Sequence, residues 1–354
     1  MIIEPTFLVN RQQCEKNIDK ILANLQSSNT QLRPHFKTHQ SALIGELFKE
    51  KGIKKITVSS FSMAEFFAKN GWRDITVAFP VNIREIDRIN YLASSIQLNL
   101  LVESAETISF LAEKCHHKIE YYIKIDVGTH RTGIPSEDTA VIRSILALAE
   151  TNPDMKFKGF LAHAGHSYQA RSTEEIRRIY NDTADQLKKL KDDFIEDYPY
   201  LKISFGDTPT ASIIKDFSGI DEIRCGNFIF YDIMQEQIGS CNLKEIAVAV
   251  ACPVVAKHPS RNEIVLFGGG VHFSKDVIEY RDLGRTYGLL AESRGLNWGK
   301  TIPGAHLVRL SQEHGILQVP DHIMNTIAIG DFVHVLPVHS CMVANLMKKN
   351  TRII

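Results

Sequence analysis

KITVSSFSMAEFFAKNGWRDITVAF, residues 55–79, reads as a strand, a helix and a second strand. KITVS (55–59) and DITVAF (74–79) are β-branched runs, whereas SMAEFFAKNG between them spaces its apolar residues by three and four and closes on Gly. The unit recurs on both sides. Further candidate strands are RPHFK (33–37), QLNLLV (97–102), EYYIKID (120–126), FKGFLAH (157–163), LKISF (201–205) and DEIRC (221–225). Helical patterns such as SALIGELFKEKG, IREIDRINYLA and AETISFLAEKC lie between strands, and an amphipathic helix over about 11–28 precedes the first. Eight strands alternating with helices is the count of a (β/α)8 TIM barrel, although a doubly wound open sheet shares the alternation.

The texture changes after about residue 243. EIAVAVACPVVAKHP, NEIVLFGG, RTYGLLAE, AHLVRLSQEHGILQVP and DFVHVLP are strand-like runs split by Gly, Pro and Asn, with no convincing helix between them. The chain therefore reads as an α/β protein with a barrel over 10–243 and a C-terminal all-β domain over 244–354, to which residues 1–9 lend a strand.

The 354 residues are 44% hydrophobic and 23% charged, with 41 Lys+Arg against 41 Asp+Glu. That balance argues against a nucleic-acid footprint and against a polybasic membrane surface, and favours a small ligand. No apolar run is long enough for a membrane span or a secretory signal. Six cysteines (14, 115, 225, 241, 252 and 341) without a CxxC pair read as reduced thiols, so a cytoplasmic setting is expected.

Functional groups of barrels sit at the C-terminal strand ends, and phosphates commonly bind after strands seven and eight. The first strand ends at Lys37, and the fifth runs into DVGTHRTG with Arg131. The sixth runs into HAGHSY with His163 and Tyr168. The seventh and eighth enter GDTPTAS (206–212) and CGN (225–227), small turns whose free N–H groups suit a phosphate. A lysine on one side of the mouth and a phosphate turn on the other suggest pyridoxal 5′-phosphate held as a Schiff base. Arg33, His35 and His39 around Lys37 are expected to keep its amine reactive and to help hold an anionic cofactor. Plain structural readings stand beside these: a solvated lysine cap, a helix N-cap at GDTPTAS, a satisfied core histidine at 163, a tight turn at Gly268–Gly270.

In the β domain, PVHSCMVANL (337–346) places His339 and Cys341 two residues apart, which on a strand turns both to one face. Imidazole and thiolate suit zinc, but two ligands are fewer than the usual three. His314 in SQEHG is a candidate extra group, with a turn histidine as its plain reading.

RPHFKTHQ, IDVGTHRTG, HAGHSY, GDTPT, RCGN, SQEHG and PVHSC, in this order across residues 33–346, resemble the D-serine dehydratase and D-threonine aldolase group. These are pyridoxal-phosphate enzymes of the alanine-racemase-like fold. The resemblance implies Lys37 as Schiff-base lysine, with Tyr168 catalytic and lining the cofactor ring. It implies Arg131 at the cofactor O3′, His35 and His163 around the cofactor, and Thr208, Gly226 and Asn227 at the phosphate. It implies a divalent metal, zinc or manganese, on His339 and Cys341, and a homodimer sharing its active sites. Cys at the second metal position leans toward the dehydratases, Asp toward the aldolases. The expected reaction is elimination of a 3-hydroxy D-amino acid to an α-keto acid and ammonia. Retro-aldol cleavage to glycine and an aldehyde is the alternative, ahead of a racemase, a non-catalytic carrier of pyridoxal phosphate, or an α/β enzyme without that cofactor.

Overall fold

The computed structural model describes residues 2–354, which divide into two compact units. One comprises Ile21–Lys37 and Ser41–Gly226; the other comprises residues 2–20, Thr38–Gln40 and Asn227–Ile354. The turns after Gly226 are tied to the second unit: Asn227 and Asp232 both hydrogen-bond Ser340.

The first unit is built on eight parallel strands: Gln31–Leu32, Lys55–Val58, Asp74–Pro80, Gln97–Val102, Ile119–Asp126, Met155–Ala162, Lys202–Phe205 and Glu222–Ile223. They neighbour one another in chain order, and the eighth also pairs with the first. A bridge between His35 and Thr57 joins the first strand's continuation to the second, so the ring closes as a barrel. The expected first strand, RPHFK, lies just beyond the regular pairing, which falls at Gln31–Leu32; within RPHFK only His35 forms a bridge. Pro34 has no N–H to donate, yet Arg33 and His35 still donate to Ile223 and Cys225, and Phe36 donates to Thr57. Segment 36–39 then turns, which puts Lys37 in a turn after the strand. Helices cover the strands, and Ser41, Ser60, Ser104 and Ser172 cap four of them by accepting backbone N–H bonds.

The N-terminal layer of this barrel is ionic. Arg33 has no exposed surface. Its Nε donates to both Glu222 oxygens at 3.0 Å, and Nη1 and Nη2 donate to Asp74 at 2.7 and 3.1 Å. Lys55 at 2.9 Å, the Tyr122 hydroxyl at 2.9 Å and Ser204 at 3.2 Å also donate to Glu222. Lys55, Asp74 and Glu222 open their strands, so this is the face of a barrel that serves stability. The expectation that Arg33 works with Lys37 is thereby corrected: two carboxylates already compensate its charge.

The second unit holds an eight-stranded sheet. In order the strands are Glu263–Phe267, His314–Gln318, Asn297–Leu310, Gly288–Arg294, Phe332–Pro337, Val248–His258, Thr6–Val9 and Thr351–Ile353. Glu263–Phe267 also pairs with Val248–His258, which closes six of the strands into a ring. Thr6–Val9 pairs antiparallel with Val248–Ala251. This unit also contains short helices, Gly270–Phe273, Asp321–Met324 and Ser340–Leu346, where none was expected. Among the described residues, no helix is long and apolar enough to cross a membrane.

Candidate active site

Two groups of residues carry chemistry, one in each unit. In the barrel they gather beyond the C-terminal strand ends. Lys37 is exposed, and its backbone N–H donates to His35 Nδ1 at 3.4 Å. Burial, followed by the positive charges of Lys37 and Arg224, holds His35 well below the ordinary imidazole range, so the ring stays neutral. The cationic cluster read in RPHFKTHQ is thus smaller than its composition suggests: Arg33 is paired at the far layer and His35 is uncharged.

His163 Nδ1 bonds the Gly206 carbonyl at 2.6 Å, which fixes the proton there and leaves Nε2 as an acceptor. Burial drives its pKa down to about 3 against that bond, with Lys37, Arg131 and Arg224 adding to the fall. Tyr168 lies beside it, ring centroids 6.3 Å apart, and its hydroxyl accepts the Thr208 N–H at 3.2 Å. Thr208 opens the helix Thr208–Ile213, capped by Asp207, whose side chain accepts from Thr210 N. Thr208 is buried, and its hydroxyl has no partner. Gly206 comes so close to the next strand that a Cβ there would lie 2.5 Å from Arg224 N. Arg131 is exposed at the end of the fifth strand's loop and acts electrostatically on His163 and Lys124.

Two groups at this mouth escaped the motif reading. Arg224 is buried, with Nη1 on Ser204 Oγ at 2.8 Å and Nη2 on the Ala162 carbonyl at 2.7 Å, while its Nε–H is buried without a partner. Lys124 is buried on the fifth strand, and burial lowers its pKa to about 8, helped by Arg224. Both stand inside quoted motifs, but charged residues within strands read as solvent-facing until a barrel closes around them.

A buried hydroxyl and a buried guanidinium N–H without partners, beside a neutral imidazole and an exposed lysine, are a donor set that fits pyridoxal 5′-phosphate. Lys37 would hold its aldehyde carbon, Thr208 and the backbone of Gly226 and Asn227 its phosphate, and Arg224 would donate toward its ring.

The second group surrounds the HSC motif. His339 is the N-cap residue of helix Ser340–Leu346, and Cys341 lies in its first turn. The two are not on a strand, so the same-face argument for them is replaced by a helix-start geometry that sets the imidazole and the thiol within electrostatic reach of each other. Burial pulls the His339 imidazole down, but the bond to Asp276 and the nearby Cys341 sulfur outweigh it and lift its pKa to about 10. Burial pushes the Cys341 thiol up, and His339 more than reverses this, so its pKa falls below the ordinary thiol value. Cys341 Sγ is also 3.3 Å from Thr38 Oγ1 and from Asn227 Nδ2.

Asn227 was expected at the phosphate. Its side-chain amide instead donates to Asp232 at 2.7 Å and to Ser340 at 3.0 Å besides Cys341, which leaves its backbone for an anion. Asp232 accepts the Ser340 N–H at 2.9 Å and so anchors the start of the helix. His314, the candidate extra group, is exposed and opens a strand in register with Phe267. Among the described residues, no group of three or more His, Cys, Asp or Glu side chains is arranged to hold a metal ion. A borderline-soft divalent cation fits the imidazole–thiolate pair, provided its remaining positions are filled by other donors.

A (β/α)8 barrel followed by a sheet-rich C-terminal domain is the two-domain arrangement of the alanine-racemase-like fold. Residues 9–233 match the family model described as "Alanine racemase, N-terminal domain", and residues 247–351 match that described as "Putative serine dehydratase domain". The chain belongs to the alanine racemase N-terminal domain family. It is similar to the D-threo-3-hydroxyaspartate dehydratase of Delftia sp. (strain HT23), at 27% identity over 352 residues, covering 95% of this chain and 90% of that one. The D-serine dehydratase of Dictyostelium discoideum is 29% identical over 369 residues, covering 96% and 90%. The solved Delftia structure superposes with a TM-score of 0.90 at 25% identity, covering 97% of this chain and 92% of that one. A cysteine-to-alanine variant of that enzyme has been solved in the metal-free form.

Proposed function

We propose that this chain is a pyridoxal-phosphate- and divalent-metal-dependent lyase that eliminates water from a 3-hydroxy D-amino acid, giving an α-keto acid and ammonia. The observation that carries the reading is the His339–Cys341 pair at the start of helix Ser340–Leu346, its imidazole 3.0 Å from Asp276 and its thiol bonded to Thr38, the residue that follows Lys37 in the chain. The Delftia and Dictyostelium relatives, both dehydratases, support it.

When bound, pyridoxal phosphate supplies an electron sink for charge developing at Cα, and the cation supplies Lewis acidity at the departing hydroxyl. The chain's residues do the rest. Lys37, its amine free once substrate is bound, would take the Cα proton on Nζ. His163, neutral and bonded to Gly206, holds its place beside the cofactor without adding positive charge. Tyr168, hydrogen-bonded to Thr208 N–H, ties the cofactor wall to the phosphate turn. His339 and Cys341 would hold the cation, and the β-hydroxyl departs as water with the proton that Lys37 removed from Cα. The Cα=Cβ enamine that is released tautomerises and hydrolyses to the keto acid and ammonia. The reading extends to a homodimer working in the cytoplasm. Six free cysteines agree with a reducing compartment, and sedimentation of the purified protein tests the assembly.

The deciding assay offers D-serine, D-threonine and D-threo-3-hydroxyaspartate and measures keto acid plus ammonia against glycine plus aldehyde. Keto acid sustains the elimination, whereas glycine replaces it with the retro-aldol reading. Lys37→Ala is expected to lose the visible band of covalently held cofactor, and a variant that keeps the band refutes the lysine's role.

A further inference from the structure

We propose that Asp276 is a positioning residue for the metal pair: it locks the His339 ring so that Nε2 and the Cys341 thiolate are presented together to one cation. The inference rests on the reading of His339 and Cys341 as metal ligands. Asp276 Oδ2 stands 3.0 Å from His339 Nδ1. A proton on Nδ1 satisfies that contact and leaves the Nε2 lone pair as the ring's one ligating position. Carboxylate–histidine–metal chains of this kind fix both tautomer and ring orientation.

The ring needs such a clamp. Its side chain is 32% exposed, so packing alone does not stop it from turning about χ2 and exchanging nitrogen for carbon. With only two protein donors in the pair, misplacing one removes half of the set.

Asp276 is itself held. Ser274 Oγ donates to its Oδ2 at 2.9 Å, and its own N–H donates back to Ser274 Oγ at 3.2 Å. Ser274 is buried and sits at φ +63°, a conformation a non-glycine residue keeps only when its surroundings impose it. The stretch leading into it is equally constrained: a Cβ on Gly269 would lie 2.3 Å from the Gln312 carbonyl, and one on Gly268 2.6 Å from Cys252 Sγ. GGGVHFSKD (268–276) is therefore a rigid bracket that ends in the carboxylate against His339.

The test uses the cofactor-loaded protein after metal stripping, titrated with Zn2+ against a chromophoric chelator. Asp276→Ala is expected to bind Zn2+ roughly 10- to 100-fold more weakly, with the unfolding midpoint of the metal-free form and the cofactor spectrum unchanged. Asp276→Asn keeps an acceptor oxygen and is expected to fall between Ala and the native residue. An Asp276→Ala affinity within twofold of the native protein overturns the inference, as does an Asn variant no better than Ala. Should Asp276→Ala fail to fold, Ser274→Ala replaces it; a severalfold loss supports the bracket and an unchanged affinity overturns it. A native protein that takes up no Zn2+ defeats the metal reading itself, a different result from native binding that Asp276→Ala leaves intact.

Discussion

Glu222→Gln is the most direct probe of the ionic layer beneath the barrel mouth. The carboxylate is 1% exposed and receives bonds from Arg33, Lys55, Tyr122 and Ser204. An amide of the same shape removes the charge and turns an N–H2 toward two cations. Breaking a buried ion pair from one side costs about 3–5 kcal/mol. Here Arg33 keeps Asp74, and Lys55, 19% exposed, can relax toward water. The expected loss is therefore about 3 kcal/mol, roughly a hundredfold in the folded-to-unfolded ratio. Urea unfolding in a Trp298→Phe background isolates the barrel, because Trp72 is then the sole tryptophan. A loss under about 1 kcal/mol would refute the network's role. A pH series adds a second check. Burial raises the Glu222 pKa, but Arg33 and Lys55 outweigh it and hold the carboxyl well below the usual carboxylate range. The unfolded chain therefore takes up the proton first. The stabilisation is full above about pH 4.3 and fades as pH falls from there toward the folded pKa. The gap between native and Gln proteins should narrow on acidification below pH ~4.3, and a gap that widens contradicts the assignment.

Gly159→Ala should destabilise the barrel by at least about 3 kcal/mol, because φ is +139° and the new methyl would lie 1.9 Å from the Lys202 carbonyl; an unchanged urea midpoint would show that the two strands can part. Asn227→Asp exchanges a donor for a carboxylate 2.7 Å from Asp232 Oδ2. A loss of about 1–3 kcal/mol at pH 8 is expected, smaller at pH 5, where the introduced carboxyl, crowded by a like charge, can take a proton; equal losses at both pH values would contradict the repulsion.

The alternation of strands and helices was legible because each signal is local: β-branched runs for strands buried on both faces, three- and four-residue spacing for helices, Ser before them. The first strand was placed a few residues late, at 33–37 and not 31–32, because Pro34 breaks the regular ladder while Arg33, His35 and Phe36 keep bonding to both neighbours. No composition signal separates those cases. The short helices of the β unit were missed for another reason. Four residues at Gly270–Phe273 and at Asp321–Met324, and seven at Ser340–Leu346, are too few for a helical period to emerge from a strand-rich background.

The candidate site divides along the same line between local and tertiary information. Lys37, Thr208, His339 and Cys341 could be named because residue type and spacing mark them. Asp276 could not, because its partner His339 is 63 residues away and the glycines that bring it there read as a turn. Arg33 was assigned to the wrong end of the barrel, since its carboxylates come from two other strands. The backbone itself shows where local rules yield. Among the described non-glycine residues at positive φ, Gln40 follows Thr38 by two positions, His130 precedes Arg131, Tyr231 precedes Asp232 and Ser274 precedes Asp276 by two. Each such residue costs on the order of 1–3 kcal/mol and persists only where surrounding structure over-determines it. None is a glycine, so the sequence carries no mark of the strain. That four of these outliers flank site residues is what a chain does when tertiary contacts, and not local preference, set the placement of its reactive groups.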